Sequence, residues 1–108
     1  MPVLHIDLES RSAVDLRKTG VYVYAESPTT DLWCAAHALD DGPIKLWKPG
    51  EETPAEVIAA VDNGWEIWAH NASFERAIWR GILTPRYGWP EPKLEQFRCT
   101  MAAALAMS

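Results

Sequence analysis

The chain has 108 residues, of which 48% are hydrophobic, and a formal net charge of −5. This length suggests one domain or part of one, and the hydrophobic fraction argues against wholesale disorder. No apolar run approaches the roughly 20 residues needed to cross a bilayer. The amino terminus lacks the basic region and long apolar stretch of a signal peptide. We therefore expect a cytoplasmic protein without a membrane segment.

The amino-terminal half predicts three strands. Residues 3–9 alternate, with Leu4, Ile6 and Leu8 on one face and polar side chains on the other. Residues 15–27 are mixed and predict a short turn or helix leading into an extended piece. Residues 32–39 and 44–47 predict the second and third strands, joined by the turn Asp-Asp-Gly-Pro at positions 40–43.

A helix is predicted after the third strand. Thr53 at the N-cap, Pro54 at the first helical position and Glu56 three residues after the cap form a capping-box pattern. The predicted buried stripe consists of Val57, Ile58, Ala60 and Val61. Asn63-Gly64 ends the helix, and residues 65–69 predict a fourth strand.

A second helix follows that strand. Its buried stripe is predicted to contain Phe74, Ala77, Ile78, Gly81 and Ile82, with Glu75, Arg76, Trp79 and Arg80 off the stripe. Residues 84–92 contain three prolines and a glycine and predict a loop. Thr100 is predicted to cap a last helix through Leu105. A run of strands followed by alternating helices and strands favours a mixed α/β sheet with helices packed on it.

Asp7 and Glu9 are the first candidate site residues. They lie two positions apart on a predicted strand, so their carboxylates share one face. Two carboxylates this close repel each other unless a cation neutralises them, and oxygen ligands suit Mg²⁺ or Mn²⁺. A solvated strand face is the structural alternative.

Glu75 and Asn71 are the second candidate group, at the start of the second predicted helix. Both also have structural interpretations, because a carboxylate suits the first turn of a helix and asparagine suits the N-cap.

Together, the segments Ile6-Asp7-Leu8-Glu9 and Asn71-Ala72-Ser73-Phe74-Glu75 resemble the first and second motifs of the DEDD exonuclease superfamily. Segments 15–20, 24–26 and 69–76 are similar to the proofreading domain of bacteriophage family A DNA polymerases. The resemblance implies a ribonuclease H-like α/β fold, with residues 1–108 forming the N-terminal portion of a 3′–5′ exonuclease domain.

The implied activity is two-metal hydrolysis at the 3′ end of single-stranded DNA, with Mg²⁺ or Mn²⁺ as cofactor. Asp7 would bridge the two ions, Glu9 would hold the ion that activates water, and Glu75 would support the other. Leu8 and Asn71 would contact the substrate. Glu75 departs from the family, which usually has Asp there.

The family's third motif is expected beyond Ser108, because the only later acids, Glu91 and Glu95, do not fit it. We therefore expect a truncated and inactive chain whose partners are the remainder of the polymerase and single-stranded DNA. The alternative is a catalytically dead ribonuclease H-like fragment that acts as a nucleic-acid-binding or interaction module. The negative net charge makes phosphate binding harder for this chain alone. A truncated sheet or an unpaired helix face could also bury itself against a second copy, which would give a homo-oligomer.

The remaining candidates have mainly structural interpretations. His5 could pair with Asp7, and a solvated or structural role is favoured for His70. The other candidates are Arg76 and Arg80, with a solvated helix face favoured over phosphate contact; Trp33, Trp47 and Trp68, predicted in the core; and Trp79 and Trp89, with core packing favoured over base stacking. Cys34 and Cys99 form no CxxC pair, so reduced, partly buried thiols are favoured over zinc ligands.

Overall fold

The structure is a computed structural model that describes residues 2–12, 20, 24–25 and 27–100. Its strands are β1 (Val3–Arg11), β2 (Asp31–Leu39), β3 (Lys45–Trp47), β4 (Glu66–Ala69) and β5 (Phe97–Cys99). Its helices are α1 (Ala55–Asn63), α2 (Ala72–Ile78) and α3 (Thr84–Tyr87), with a π-helical turn at Trp79–Leu83 and a 3₁₀ turn at Leu94–Gln96. Most of segment 15–27, and the predicted helix after Thr100, lie outside the described residues.

The five strands form one mixed sheet in the order β3-β2-β1-β4-β5. β2 pairs antiparallel with both β1 and β3, while β4 is parallel to β1 and β5. Helices flank this sheet, so the predicted α/β fold is confirmed, and the arrangement is consistent with part of a ribonuclease H-like domain.

Helices α1 and α2 cover the same face of the sheet. Each connects parallel strands, and both connections run towards β5, so the usual right-handed crossover puts both helices on one side. The side chains of Leu4, Ile6 and Leu8 are buried beneath them, as their alternation predicts. The polar residues of β1 project from the opposite face.

The start of α1 differs from the predicted capping box. Pro54 is the N-cap and no side chain caps the helix, so Thr53 does not hold the role that its position suggested. Glu56 instead pairs with the buried His37 of β2, because α1 lies across that strand. The helix ends at Gly64 in the left-handed conformation, as predicted.

The predicted buried stripes are only partly correct. In α1, Val57 and Ala60 are buried, but Ile58 is 41% exposed because the sheet contacts only a narrow side of this short helix. Glu75 and Trp79 were predicted off the α2 stripe and are both buried. Ala77, Ile78 and Ile82 are buried as predicted, and a π-helical turn follows α2 from Trp79.

The segment after the π-helical turn is also more regular than predicted. Residues 84–87 form α3 rather than a loop, since Pro85 is accepted in a first helical turn, and Gly88 ends the helix. The short strand β5 was not predicted at all.

The tryptophans divide between core and surface. Trp47 is buried as predicted, Trp68 is half-buried, and Trp33 is 64% exposed, which contradicts its predicted core position. The favoured core role of Trp79 and Trp89 is confirmed: their rings meet edge to face at 5.3 Å. Cys34 and Cys99 are half-buried and form no disulfide with each other, and the Cys99 thiol donates a hydrogen bond to the His70 carbonyl oxygen at 3.3 Å.

Candidate functional site

Asp7 and Glu9 project from the face of β1 opposite α1 and α2 and are exposed. Strand pairing places them opposite Ala36 and Cys34 of β2. These small neighbours leave the two carboxylates open to solvent. The structure gives neither carboxylate a salt bridge within its described residues.

Glu75 reaches the edge of β1 because β4 is short. The pairing of β4 with β1 ends at His5 and Trp68, so the following residues of β1 have no strand beside them on that side. The first turn of α2 occupies this space. Asn71 caps that turn by accepting a hydrogen bond from the Phe74 N–H at 3.4 Å, which confirms its N-cap role.

Glu75 is only 4% exposed, and burial raises the pKa of its carboxyl to about 7. The backbone N–H groups of Glu75 itself and of Leu8 oppose this pKa shift. The nearby carboxylates of Asp7 and Glu9 reinforce it. Glu75 therefore lies close enough to the two β1 acids for their charges to affect its ionisation.

One carboxylate oxygen of Glu75 differs from the other in its hydrogen bonding. Oε2 of Glu75 is buried and has no hydrogen-bond partner among the described residues. A buried carboxylate oxygen normally has a partner, and a hard cation is one partner that carboxylates hold well. The described residues nevertheless contain no group of three or more His, Cys, Asp or Glu arranged to hold a metal ion. Metal binding by Asp7, Glu9 and Glu75 therefore stays a prediction.

The two later acids lie away from this cluster. Glu91 forms a salt bridge with Arg80 at 3.0 Å. Glu95 lines a depression with Pro2 and Val3 near the start of β1. Asp7 is four residues beyond Val3, about 13 Å along the strand.

The remaining sequence candidates are more loosely associated with the acids. The side chain of Leu8 is buried in the core, so only its backbone faces Glu75. His5 and His70 are exposed and, with Asp7, line a shallow depression of about 250 Å³ on the face opposite α1 and α2. Arg76 is half-buried, whereas Arg80 is exposed.

Sequence reasoning missed one feature beside the acids. Arg11 at the end of β1 lies over the ring of Trp33, with its guanidinium carbon 5.7 Å from the ring centre. The pair depends on a register shift between Glu9 and Ser10 that no residue type in the sequence announces.

The chain is an α/β protein with a mixed sheet. Its central strand, β1, carries the exposed acids Asp7 and Glu9. The chain is 43% identical over 79 residues to the DNA polymerase of Bacillus phage SP02, an alignment that covers 70% of this chain and 12% of that polymerase. It is therefore related to a phage DNA polymerase, of which it spans a small part. No protein-family profile and no solved structure matches the chain. Among the described residues, no helix is long and apolar enough to span a membrane.

Proposed function

We propose that this chain forms the N-terminal part of a 3′–5′ exonuclease domain in a phage-type DNA polymerase. The observation that carries this proposal is the position of Glu75. It comes from a separate helix, its carboxyl contacts the backbone of Leu8 in β1, and the pKa of that carboxyl is raised mainly by burial and to a smaller extent by the charges of Asp7 and Glu9. Perturbed carboxylates of this kind concentrate at functional sites. The relation to a phage DNA polymerase supports the same assignment.

In this proposal the three acids bind Mg²⁺ or Mn²⁺ through hard carboxylate oxygens. A pair of bound ions would stabilise the attacking and departing oxygens of phosphodiester hydrolysis. Asp7 and Glu9 present their oxygens from one rigid strand, which fixes their spacing. Glu75 supplies the oxygen that has no partner in the described structure, and it must release its proton to act as a ligand.

We also propose that the 108-residue chain is inactive alone. The proposed site has three carboxylates, whereas Glu91 is paired with Arg80 and Glu95 lies near the start of β1. The two-metal mechanism needs both ions held together, and losing groups that act as a unit costs several orders of magnitude in rate.

The test uses a 5′-labelled single-stranded oligonucleotide with Mg²⁺ or Mn²⁺. We expect no shortening by the 108-residue chain. A longer chain encoded by the same gene should give a ladder from the 3′ end that is lost in Asp7→Ala and retained in the control Glu95→Ala. A ladder from the 108-residue chain that Asp7→Ala abolishes would disprove its inactivity. If the longer chain gives no ladder, the exonuclease assignment is wrong.

The second candidate function is a catalytically dead module that binds nucleic acid or protein. It is favoured because the described residues contain no group of three ligands arranged to hold a metal ion. Calorimetric titration with Mn²⁺ separates the two functions. The exonuclease proposal expects binding heat that Asp7→Ala removes, whereas the module expects identical traces from both proteins.

A further inference from the structure

A β-bulge lies next to the acidic cluster. Glu9 pairs with Cys34 but Ser10 pairs with Leu32, so Trp33 is an extra residue without a partner on β1. Its side chain is 64% exposed, although β2 is an interior strand of the sheet. Bulges frequently occur next to active sites, where they redirect a side chain. Here the redirected side chain is a large aromatic ring.

Arg11 accompanies this ring on the same side of the sheet as the acids. It follows Glu9 by two residues on β1, and its guanidinium carbon lies 5.7 Å from the centre of the Trp33 ring. The guanidinium has no hydrogen bond or salt bridge within the part of the chain that the structure describes. Asp31, its cross-strand neighbour, instead accepts a hydrogen bond from the Tyr87 hydroxyl at 2.5 Å. Arg11 still interacts electrostatically with the Asp31 carboxylate, but none of its N–H groups is taken up by a hydrogen bond among the described residues.

We propose that Arg11 and Trp33 form a binding platform for single-stranded DNA beside the acidic cluster. Trp33 stacks against an unpaired base and Arg11 donates hydrogen bonds to the adjoining phosphate. Aromatic rings and arginines are combined in this way by proteins that bind single strands, because every base has a stacking face. A base paired inside a duplex does not offer that face. The proposal relies on the proposed function for the nature of the ligand.

The position of the platform fits this role. Glu9 and Arg11 are two residues apart, which corresponds to about 7 Å along the strand. A strand whose terminal phosphodiester lies at Asp7 and Glu9 therefore passes the platform within a short distance. The platform also supplies positive charge where the local carboxylates repel phosphate. Arg11 and Trp33 are positioning residues in this arrangement, since neither one contacts the reacting bond.

The experiment measures the affinity of the 108-residue chain for a fluorescein-labelled single-stranded oligonucleotide in EDTA, where no metal-dependent cleavage occurs. Trp33→Ala is expected to weaken binding about tenfold, and Trp33→Phe to retain most of the affinity. Arg11→Ala should weaken binding and reduce the slope of log affinity against log salt by about 0.7, whereas Arg11→Lys should keep that slope. Leu94→Ala, which changes another apolar side chain that is 63% exposed, is the matched control and should bind like the wild type.

Equal affinities for the wild type and Trp33→Ala would overturn the proposal, and so would a wild type that does not bind the oligonucleotide. Trp33 is exposed, so Trp33→Ala should keep the wild-type unfolding midpoint. If its midpoint falls, the proposal is judged on the other variants, and Arg11→Ala must then bind more weakly than Trp33→Phe and Arg11→Lys. Failure of the exonuclease proposal is a separate result. Binding that depends on Trp33, without Mn²⁺ binding at Asp7 and without cleavage by the longer chain, would leave the platform in place on a non-catalytic module.

Discussion

At the scale of single residues, Glu75 has the clearest conflict between stability and function. Its side chain is almost fully buried, and its Oε2 has no partner among the described residues. A glutamine of the same shape would remove the ionisable group without creating a cavity. If Glu75 served only as a favourable charge in the first turn of α2, its burial would bring no advantage.

The raised pKa of Glu75 predicts how stability changes with pH. Its carboxyl has a pKa of about 7 in the folded chain against 4.5 for an ordinary glutamate. Between these values the folded state binds more protons than the unfolded state, so stability falls as pH rises from about 4.5 to about 7. Glu75→Gln should remove up to about 3 kcal/mol of this loss. Urea unfolding at pH 5 and pH 8 measures it. The control Glu91→Gln should keep the wild-type pH dependence, and an unchanged profile in Glu75→Gln would contradict the assigned pKa.

At the scale of elements, the start of α1 shows a difference between a local prediction and the tertiary structure. The sequence predicts that Glu56 takes part in capping its own helix, but Glu56 makes a tertiary contact instead. Glu56 lies where a capping box would place it, yet it pairs with His37 of β2 and lies 3.8 Å from Lys45. His37 is 5% exposed, so its polar ring needs a partner more than the helix end does.

This contact predicts a small effect on stability for one substitution and a large effect for another. Thr53→Ala should change the free energy of unfolding by less than about 0.5 kcal/mol, because Thr53 does not cap the helix. His37→Ala should cost about 1–3 kcal/mol or more, because it leaves Glu56 without its main partner and opens space beneath α1. Urea denaturation of both variants is the measurement. A larger loss in Thr53→Ala than in His37→Ala would restore the capping-box interpretation.

The π-helical turn provides a second expectation at this scale. A Cβ at Gly81 would lie 2.9 Å from the carbonyl oxygen of Ala25, a backbone atom that cannot easily move away. Gly81→Ala should therefore destabilise the chain by about 1–3 kcal/mol, although alanine normally favours a helix over glycine. The nearby Arg80→Ala removes only an exposed ion pair and should have little effect. Thermal unfolding of the two variants compares them, and a stabilised Gly81→Ala would show that Ala25 does not pack there.

At the scale of the whole molecule, the sequence predicts those features that depend on local periodicity. The alternation of β1 and the glycine that ends α1 identify their elements directly. The bulge at Trp33, the π-helical turn and the burial of Glu75 depend on contacts between distant segments, which residue spacing does not encode. The motif resemblance, rather than residue spacing, singled out Asp7, Glu9 and Glu75 as one group. It did not indicate Arg11 and Trp33, because a cation–π contact across a bulge has no sequence signature.

Metal binding is thermodynamically coupled to the folding of the whole chain. An ion that binds only the folded chain raises its free energy of unfolding by mass action. In the proposed site Glu75 must lose its proton first, and its pKa is about 7. The affinity for Mn²⁺ should therefore be several-fold higher at pH 7.5 than at pH 6, and Mn²⁺ should stabilise the folded chain more at the higher pH. Melting midpoints with and without Mn²⁺ at both pH values measure this difference.

Three variants make that measurement specific to the proposed site. Asp7→Ala should lose the stabilisation by Mn²⁺ at both pH values, because it removes an oxygen ligand without disturbing the core. Glu75→Gln should retain at most a weaker effect that no longer depends on pH, since no proton has to leave. Glu95→Gln, which changes an acid near the opposite end of β1, should behave like the wild type. Stabilisation that survives in Asp7→Ala would place the ion elsewhere. A wild type that Mn²⁺ does not stabilise at pH 7.5 would leave the three carboxylates without the cation that the exonuclease proposal requires.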